Sequence, residues 1–543
     1  MITSLHLGNF KAFAEAQKIP VKPITLIFGA NSAGKSSIIH SLALAHEAMR
    51  TGELDLFRTD LGGSSIDLGG FRQYIHRRQA SRRMEWGLTL GTGKFTGRLK
   101  ELLAPVANIS LNITTGMPLD DHDQPVQGAM PHVISYELDS DGSTLLRMSR
   151  RPGNQMALDL LPYKHPVLQR LISALLEGFT TTGTVSEDDL KKLEGPIAEI
   201  ISGLRGPMGT FFPKGLRDES RDEEGGQQMS LFPVSRGNRQ EDLAKAVRFF
   251  LPRTLDELIQ ELNRVLHAEI NRLQYLGPLR SYPARHLAFA EHEDINWYAG
   301  GGYAWDVVRR NKEVRDKVNG WLCDAKKLST PYELSIKNLL TIDDLSADYE
   351  EIVERVEKDF VEHVDVYDYF GTLYGALSEL KNKEANLASI QELVLLDRRT
   401  DTQVSHRDVG IGVSQVLPVL VSAYASQEKI IAIEQPEIHL HPALQAELGD
   451  VFIESALAGG NNTFLLETHS EHLILRILRR IRETAEQELE EGATPITPDQ
   501  VAVLYVQPGK KGSEVLHIPV NEEGEFERPW PQGFFAERAR ELF

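Results

Sequence analysis

The sequence predicts an α/β fold: a mixed sheet, an antiparallel β lobe and a large, mainly helical insertion. Three observations predict it. Short apolar runs suited to buried parallel strands stand near both ends of the chain, at Ile24 to Phe28, Ile430 to Ile433 and Thr463 to Leu466. Residues 84–150 alternate polar and apolar side chains and contain the turn Asp139-Ser140-Asp141-Gly142, the pattern of an antiparallel sheet. From about residue 155 to 275 the period becomes helical, with Leu255, Leu258, Ile259, Leu262 and Leu266 on one apolar face.

The chain divides accordingly into an N-terminal lobe (1–150), an insertion (151–395) and a C-terminal lobe (396–543). Its 543 residues leave room for several domains and, at 41% apolar content, for a sizeable core. A formal charge of −19 and a pI near 5.4 set the surface as a whole against phosphate backbones and anionic membranes, so any nucleic-acid contact must be local. Cys323, the sole cysteine, excludes an intramolecular disulfide and fits a reducing compartment as a small core residue. No apolar run approaches the ~18 residues that span a bilayer, and Met1 to Phe13 lacks the layout of a secretion signal. A cytoplasmic protein with no membrane partner is expected.

The run Ile24 to Phe28 feeds into GANSAGKSS (Gly29 to Ser37), after which IIHSLALAHEAM continues at helical spacing. Gly29-x4-Gly34-Lys35-Ser36 is a full phosphate-loop match. The glycines let backbone N–H groups face phosphates, with Asn31 and Ser37 among the loop residues; Lys35 reaches the β/γ oxygens, and the Ser36 hydroxyl ligates Mg2+. ATP and Mg2+ are the expected cofactors. Far down the chain, Glu434 closes the strand Ile430 to Ile433, where its carboxylate can reach the Mg2+ held by Ser36. Pro442 is placed to start a helix after HLHP. The run Thr463 to Leu466 leads to His469, placed like a γ-phosphate sensor. Upstream, Gly410, Gly412, Ser414 and Gln415 open a helix whose free N–H groups should point outward and dock an anion.

Walker A at Gly29 to Ser36, the signature-like Gly412 to Gln415, the acidic strand end IEQPE, HLHP and the histidine of THS together resemble, in content and order, an ABC-type ATPase head of the SMC/RecF/OLD type. More narrowly, NFKAF (Asn9 to Phe13), YLGPLRSYPAR (Tyr275 to Arg285), EQPEIHLHP and WPQGFF (Trp530 to Phe535) resemble the AAA-type ATPases of bacterial phage-defence modules, including the PtuA-like ATPase subunit of Septu and related retron systems. The resemblance covers residues 1–80, about 270–310 and 400–543. It implies a head-to-head homodimer or higher oligomer sandwiching two ATP molecules, in which Ser414 and its neighbouring N–H groups meet the γ-phosphate bound to the partner subunit's Lys35. It also implies that Gln73, in GGFRQYIH, senses Mg2+ and the attacking water.

The catalytic set is then Lys35, Glu434, Gln435, Glu437 and His469. Gln435 occupies the place where a second carboxylate usually acts as base. An amide orients water without removing its proton, so hydrolysis should be slow. Glu437 stands as the substitute base, its direction past Pro436 left open by the sequence.

In the insertion, Ser186-x-x-Asp189 and Thr254-x-x-Glu257 read as capping-box helix starts, and residues 349–385 as a further charged helical segment; none is long enough for an SMC-like coiled-coil arm. Residues 216–240, rich in charge, glycine and glutamine, read as a mobile loop. Inside it Gln228 to Phe232 (QMSLF) is similar to the motif by which bacterial proteins grip the replication sliding clamp. The basic clusters His76 to Arg83 and Arg476 to Glu483 are candidates for double-stranded DNA, which related heads bind in an upper groove. No HNH-like histidine set or paired-acid cluster follows Ser470, so cutting is expected from a separate effector subunit, such as an HNH nuclease. The expected function is a dimeric, slowly hydrolysing ATPase that senses DNA or phage components and gates that effector in antiphage defence. The alternatives are a RecF-like DNA-repair or clamp-associated ATPase without a toxic effector, and a protein-sequestering scaffold.

Overall fold

The structure is a computed structural model that describes residues 2–177, 191, 193–209, 211–218, 239–280, 295–324, 327, 329–339, 354, 357–358, 374–375, 390–404 and 411–531. The clamp-like Gln228 to Phe232, most of the 216–240 and 349–385 segments, Ser186 to Asp189, and Gly410 lie outside the described residues.

Among the described residues, the central sheet has six strands in the order Leu273–Leu276, Ile430–Glu434, Thr463–Glu467, Ile24–Gly29, Val501–Pro508 and Ser513–His517. The first five are parallel and the last is antiparallel to its neighbour. Both faces are covered, which is why these strands read as near-continuous apolar runs. Ile24, Leu26, Phe28, Ile431, Ile433, Phe464 and Leu466 face a core shared with the helices Ile411–Tyr424, Pro442–Leu457 and Glu471–Ala485. Ile27, Ile430, Ala432 and Leu465 face the phosphate-loop helix Lys35–Thr51 and the antiparallel lobe. This period of two also places the acids at the strand ends. Glu434 follows Ile430 and Ala432, and Glu467 follows Leu465, onto the face that carries the phosphate-loop helix.

The antiparallel lobe is a nine-stranded sheet running from Arg217–Asp218 at one edge to Ile2–Gly8 and Gln17–Pro20 at the other. Its hairpin between His132–Ser140 and Ser143–Arg151 turns through Asp141 and Gly142, both at positive φ (44° and 84°), the two-residue turn that suits strand twist. The sheet continues past residue 150 through Gln155–Leu160, Leu204–Pro207 and Arg217–Asp218, while Leu273–Leu276 joins the central sheet, so the insertion contributes strands as well as helices.

Leu255, Leu258, Ile259, Leu262 and Leu266 are buried on the helix Arg239–Ile270 against the lobe. Thr254 does not start a helix. It lies inside this one, two residues past Pro252, and its hydroxyl donates to the Phe250 carbonyl at 2.9 Å; bonding back one turn continues a helix, whereas a cap bonds forward to begin one. The helices Gly302–Arg310 and Lys312–Cys323 pack on Ile411–Tyr424 through Trp305, Val308, Val318 and Leu322. Among the described residues no helix is long and apolar enough to cross a membrane.

Candidate nucleotide site

The phosphate loop links the strand Ile24–Gly29 to the helix Lys35–Thr51. A Cβ on Gly29, at φ 146°, would stand 2.3 Å from the Val506 carbonyl oxygen, and one on Gly34, at φ 100°, would meet the Ala12 methyl at 2.4 Å. Only glycine fits either place. No side chain caps the helix and no acid occupies its first turn, so its N-terminal N–H groups favour an anion. Asn31 is exposed on the loop, Ser36 half-buried and Ser37 buried. The Lys35 ammonium is buried and folds back to donate to the carbonyls of Gly29 (3.2 Å) and Ala30 (3.0 Å). Burial lowers its pKa, while Glu467, Glu434 and Glu437 pull the other way.

Glu434 and Glu467 are register partners in adjacent parallel strands, but they keep different company. Glu467 Oε2 accepts the Ser36 hydroxyl at 2.6 Å, and its Oε1 lies 3.8 Å from Lys35 Nζ. Glu434, expected beside Ser36, has other partners: its Oε1 accepts the Tyr275 hydroxyl at 2.9 Å and lies 3.2 Å from Nε2 of His40 on the phosphate-loop helix, while His40 Nδ1 is 2.6 Å from Lys11 Nζ. Burial, with the charge of Glu434 beside it, pushes Glu467 up to about 7. Ser36, Glu434 and Glu467 offer only oxygen donors, the chemistry that suits Mg2+.

Past the acidic strand, Gln435 takes a left-handed conformation (φ 49°), and its N–H donates to the Glu467 carbonyl at 2.7 Å. Glu437 turns towards His469, accepting that residue's backbone N–H at 2.7 Å through Oε1; its Oε2 is buried with no hydrogen-bond partner among the described residues. Burial raises the Glu437 pKa, and burial together with the Lys35 charge lowers that of the His469 ring. Pro442 opens its helix behind an N-cap supplied by His441.

The signature-like segment departs from expectation. Ser414 and Gln415 are 1% and 4% exposed, so they do not face outward. A Cβ on Gly412 would lie 3.3 Å from the His439 carbonyl, and the helix start is packed against the turn that follows Glu434. Arg280 binds the two together. Its buried guanidinium donates to the carbonyls of Gln415 (3.1 Å), Glu434 (3.2 Å) and Gln435 (2.9 Å), and the Gln415 amide donates back to the Arg280 carbonyl at 3.2 Å. Burial pulls Arg280 down to about 10. Gln73 is exposed on the short helix Phe71–Tyr74, and no bond joins it to Ser36, Glu434 or Glu467 among the described residues.

The two basic clusters also part ways. Arg476 pairs with Glu447 and Asp450, Arg480 with Asp450 and Glu483, and Arg479 with Glu483, whereas Arg482 is exposed on the same helix. In the other cluster, Arg77, Arg78 and Arg83 are exposed, on a segment pinned by His76 to the carbonyls of Lys11 and Lys511.

Sequence reasoning missed Glu467, Tyr275, Arg280, His40 and Lys11. For Glu467 the signal was available: it ends an apolar strand two residues before His469, as Glu434 ends its own.

Family models match two parts of the chain as AAA domains: an "AAA domain" over residues 4–98 and an "AAA ATPase domain" over 308–474. A third, "Protein of unknown function (DUF3696)", matches residues 496–543. The two AAA matches carry Lys35 and Ser36 on one side and Glu434, Glu467 and His469 on the other, which the central sheet brings together; they support a nucleotide-binding ATPase. No curated protein matches. Among solved structures, the chain aligns with an SMC head bound to the C-winged helix domain of ScpA (9% identity, 95% of this chain, 97% of that one, TM-score 0.32). It also aligns with an SMC head with an extended coiled coil bound to the C-terminal domain of ScpA derived from Pyrococcus furiosus (11%, 95%, 96%, 0.32) and with the SMC head domain from Thermotoga maritima (9%, 96%, 99%, 0.32). These superpositions are shallow, and the architecture rests on the strand order itself.

Proposed function

We propose that the chain is an ABC-type ATPase that binds ATP with Mg2+ at the phosphate loop, hydrolyses it slowly and closes head-to-head on a second copy. In this reading the cycle gates a separate effector, a nuclease, in antiphage defence. The observation that carries the ATP reading is the convergence of Lys35, Ser36, Glu434, Glu467 and His469 from three neighbouring parallel strands onto one end of the sheet. Lys35 exchanges the carbonyls of Gly29 and Ala30 for phosphate oxygens. Bound Mg2+ supplies charge neutralisation on the phosphates. Gln435 orients water, and Glu437, with one buried oxygen uncommitted, is the residue suited to take its proton. Closure on a second copy through Ser414 requires that residue to leave its buried position.

The test is ATP binding and turnover by the full chain. Lys35→Ala should abolish binding, and Glu437→Gln should lower kcat by about a hundredfold with binding kept. Turnover that survives Glu437→Gln unchanged refutes its role as base. Gating is tested by co-purification with a nuclease subunit whose activity changes with ATP. The exposed Arg77, Arg78 and Arg83 favour a second reading, a DNA-associated ATPase of the RecF kind without a toxic partner. DNA affinity that falls steeply with salt and is lost in a triple Arg→Glu variant supports that reading.

A further inference from the structure

We infer that Glu467 is a magnesium-facing carboxylate of this site, sharing the cation with Ser36 and Glu434. The inference rests on the ATP reading above and assigns a residue beyond it.

The first ground is contact. Ser36 supplies the hydroxyl that a phosphate loop turns to Mg2+, and such a hydroxyl offers its lone pair to the cation and its proton to an acceptor. Glu467 is that acceptor, at 2.6 Å. The second ground is register. Glu467 lies on the strand adjoining the phosphate-loop strand, opposite Ile27 and two residues before Gly29, whereas Glu434 lies one strand further out. Tyr275 holds the more distant acid from the strand beyond it, and His40, one turn along the phosphate-loop helix from Ser36, meets the same oxygen.

The third ground is charge. Among the described residues, the cation paired with Glu467 is Lys35, at 3.8 Å. When Lys35 turns to a phosphate, Glu467 is left beside an anion with its counter-charge withdrawn. A divalent cation between carboxylate and phosphate removes that repulsion, and the oxygen donors already converging there suit it. With an amide at position 435, Glu467 also returns to the site the second carboxylate that the acidic strand itself does not provide.

The test uses the full chain, a non-hydrolysable ATP analogue and Mn2+ as the probe. Free Mn2+ is read by electron paramagnetic resonance, and nucleotide affinity by calorimetry with and without EDTA. Glu467→Gln removes a negative charge beside the phosphates, so it should hold or raise the metal-free nucleotide affinity while weakening Mn2+ binding in the ternary complex by about tenfold or more. Glu467→Asp, which keeps the charge but draws the carboxylate back, should show a smaller fall in the same direction. If Glu467→Gln binds Mn2+ as wild type does, the inference is overturned with the ATP reading intact, and loss of Mn2+ in Glu434→Gln then assigns the cation to Glu434 alone. If the wild-type chain binds no nucleotide with or without Mn2+, the ATP reading falls and takes this inference with it.

Discussion

The ammonium of Lys11 lies 2.6 Å from His40 Nδ1, with Glu434 and Asp67 as its charged neighbours, and burial holds its pKa at about 8, below the ordinary 10.5. A lowered ammonium pKa means that the unfolded chain binds more protons than the native one between those two values. Lys11 therefore subtracts stability below pH 8, and the loss fades as pH rises towards 10.5. Lys11→Met should melt above wild type at about pH 7.5, with the gap closing by about pH 10; a gap that does not change with pH contradicts this account. Lys35, Ser36, Glu434 and His469 could be singled out from sequence because each belongs to a short local pattern. Tyr275 and Arg280 gain their meaning only from strand order, which places the strand Leu273–Leu276 beside the one that ends in Glu434. Linear spacing carries no trace of that adjacency.

Between the helices Pro442–Leu457 and Glu471–Ala485, Asp450 accepts from both Arg476 and Arg480, the latter 6% exposed in its side chain. Removing that carboxylate leaves two sparsely hydrated guanidinium groups short of a partner. Asp450→Ala should cost about 2 kcal/mol in urea unfolding, less than a fully buried pair because Asp450 is itself partly exposed. A change near zero would show that Glu447 and Glu483 suffice. The start at Pro442 was legible, since a proline after a turn fixes φ for a first helical turn. The destination of Arg476 and Arg480 was not, because Glu447 and Asp450, which meet them, belong to the preceding helix. The alternation of residues 84–150 identified the antiparallel lobe, whereas its later strands were hidden by the helical segments between them.

As a whole molecule, the chain carries a formal charge of −19, so two copies repel unless a ligand bridges them. Sedimentation velocity should find monomer without nucleotide and dimer with the ATP analogue and Mg2+, and Lys35→Ala should stay monomeric under both conditions. A dimer equally populated without nucleotide would detach assembly from ATP. The same experiment at rising salt should favour association of the apo chain, as screening relaxes the repulsion.

Arg280 adds a mechanical condition to any such assembly. One guanidinium grips the peptide of Gln415 and the peptides on either side of the bend at Gln435, so the helix Ile411–Tyr424 and the corner after Glu434 are geared to each other by hydrogen bonds inside a single subunit. Drawing Ser414 towards a neighbour either carries that corner along or tears the linkage. If a second copy docks at Ser414 as proposed and the linkage holds, the adjacent Gln435 and Glu437 shift with it.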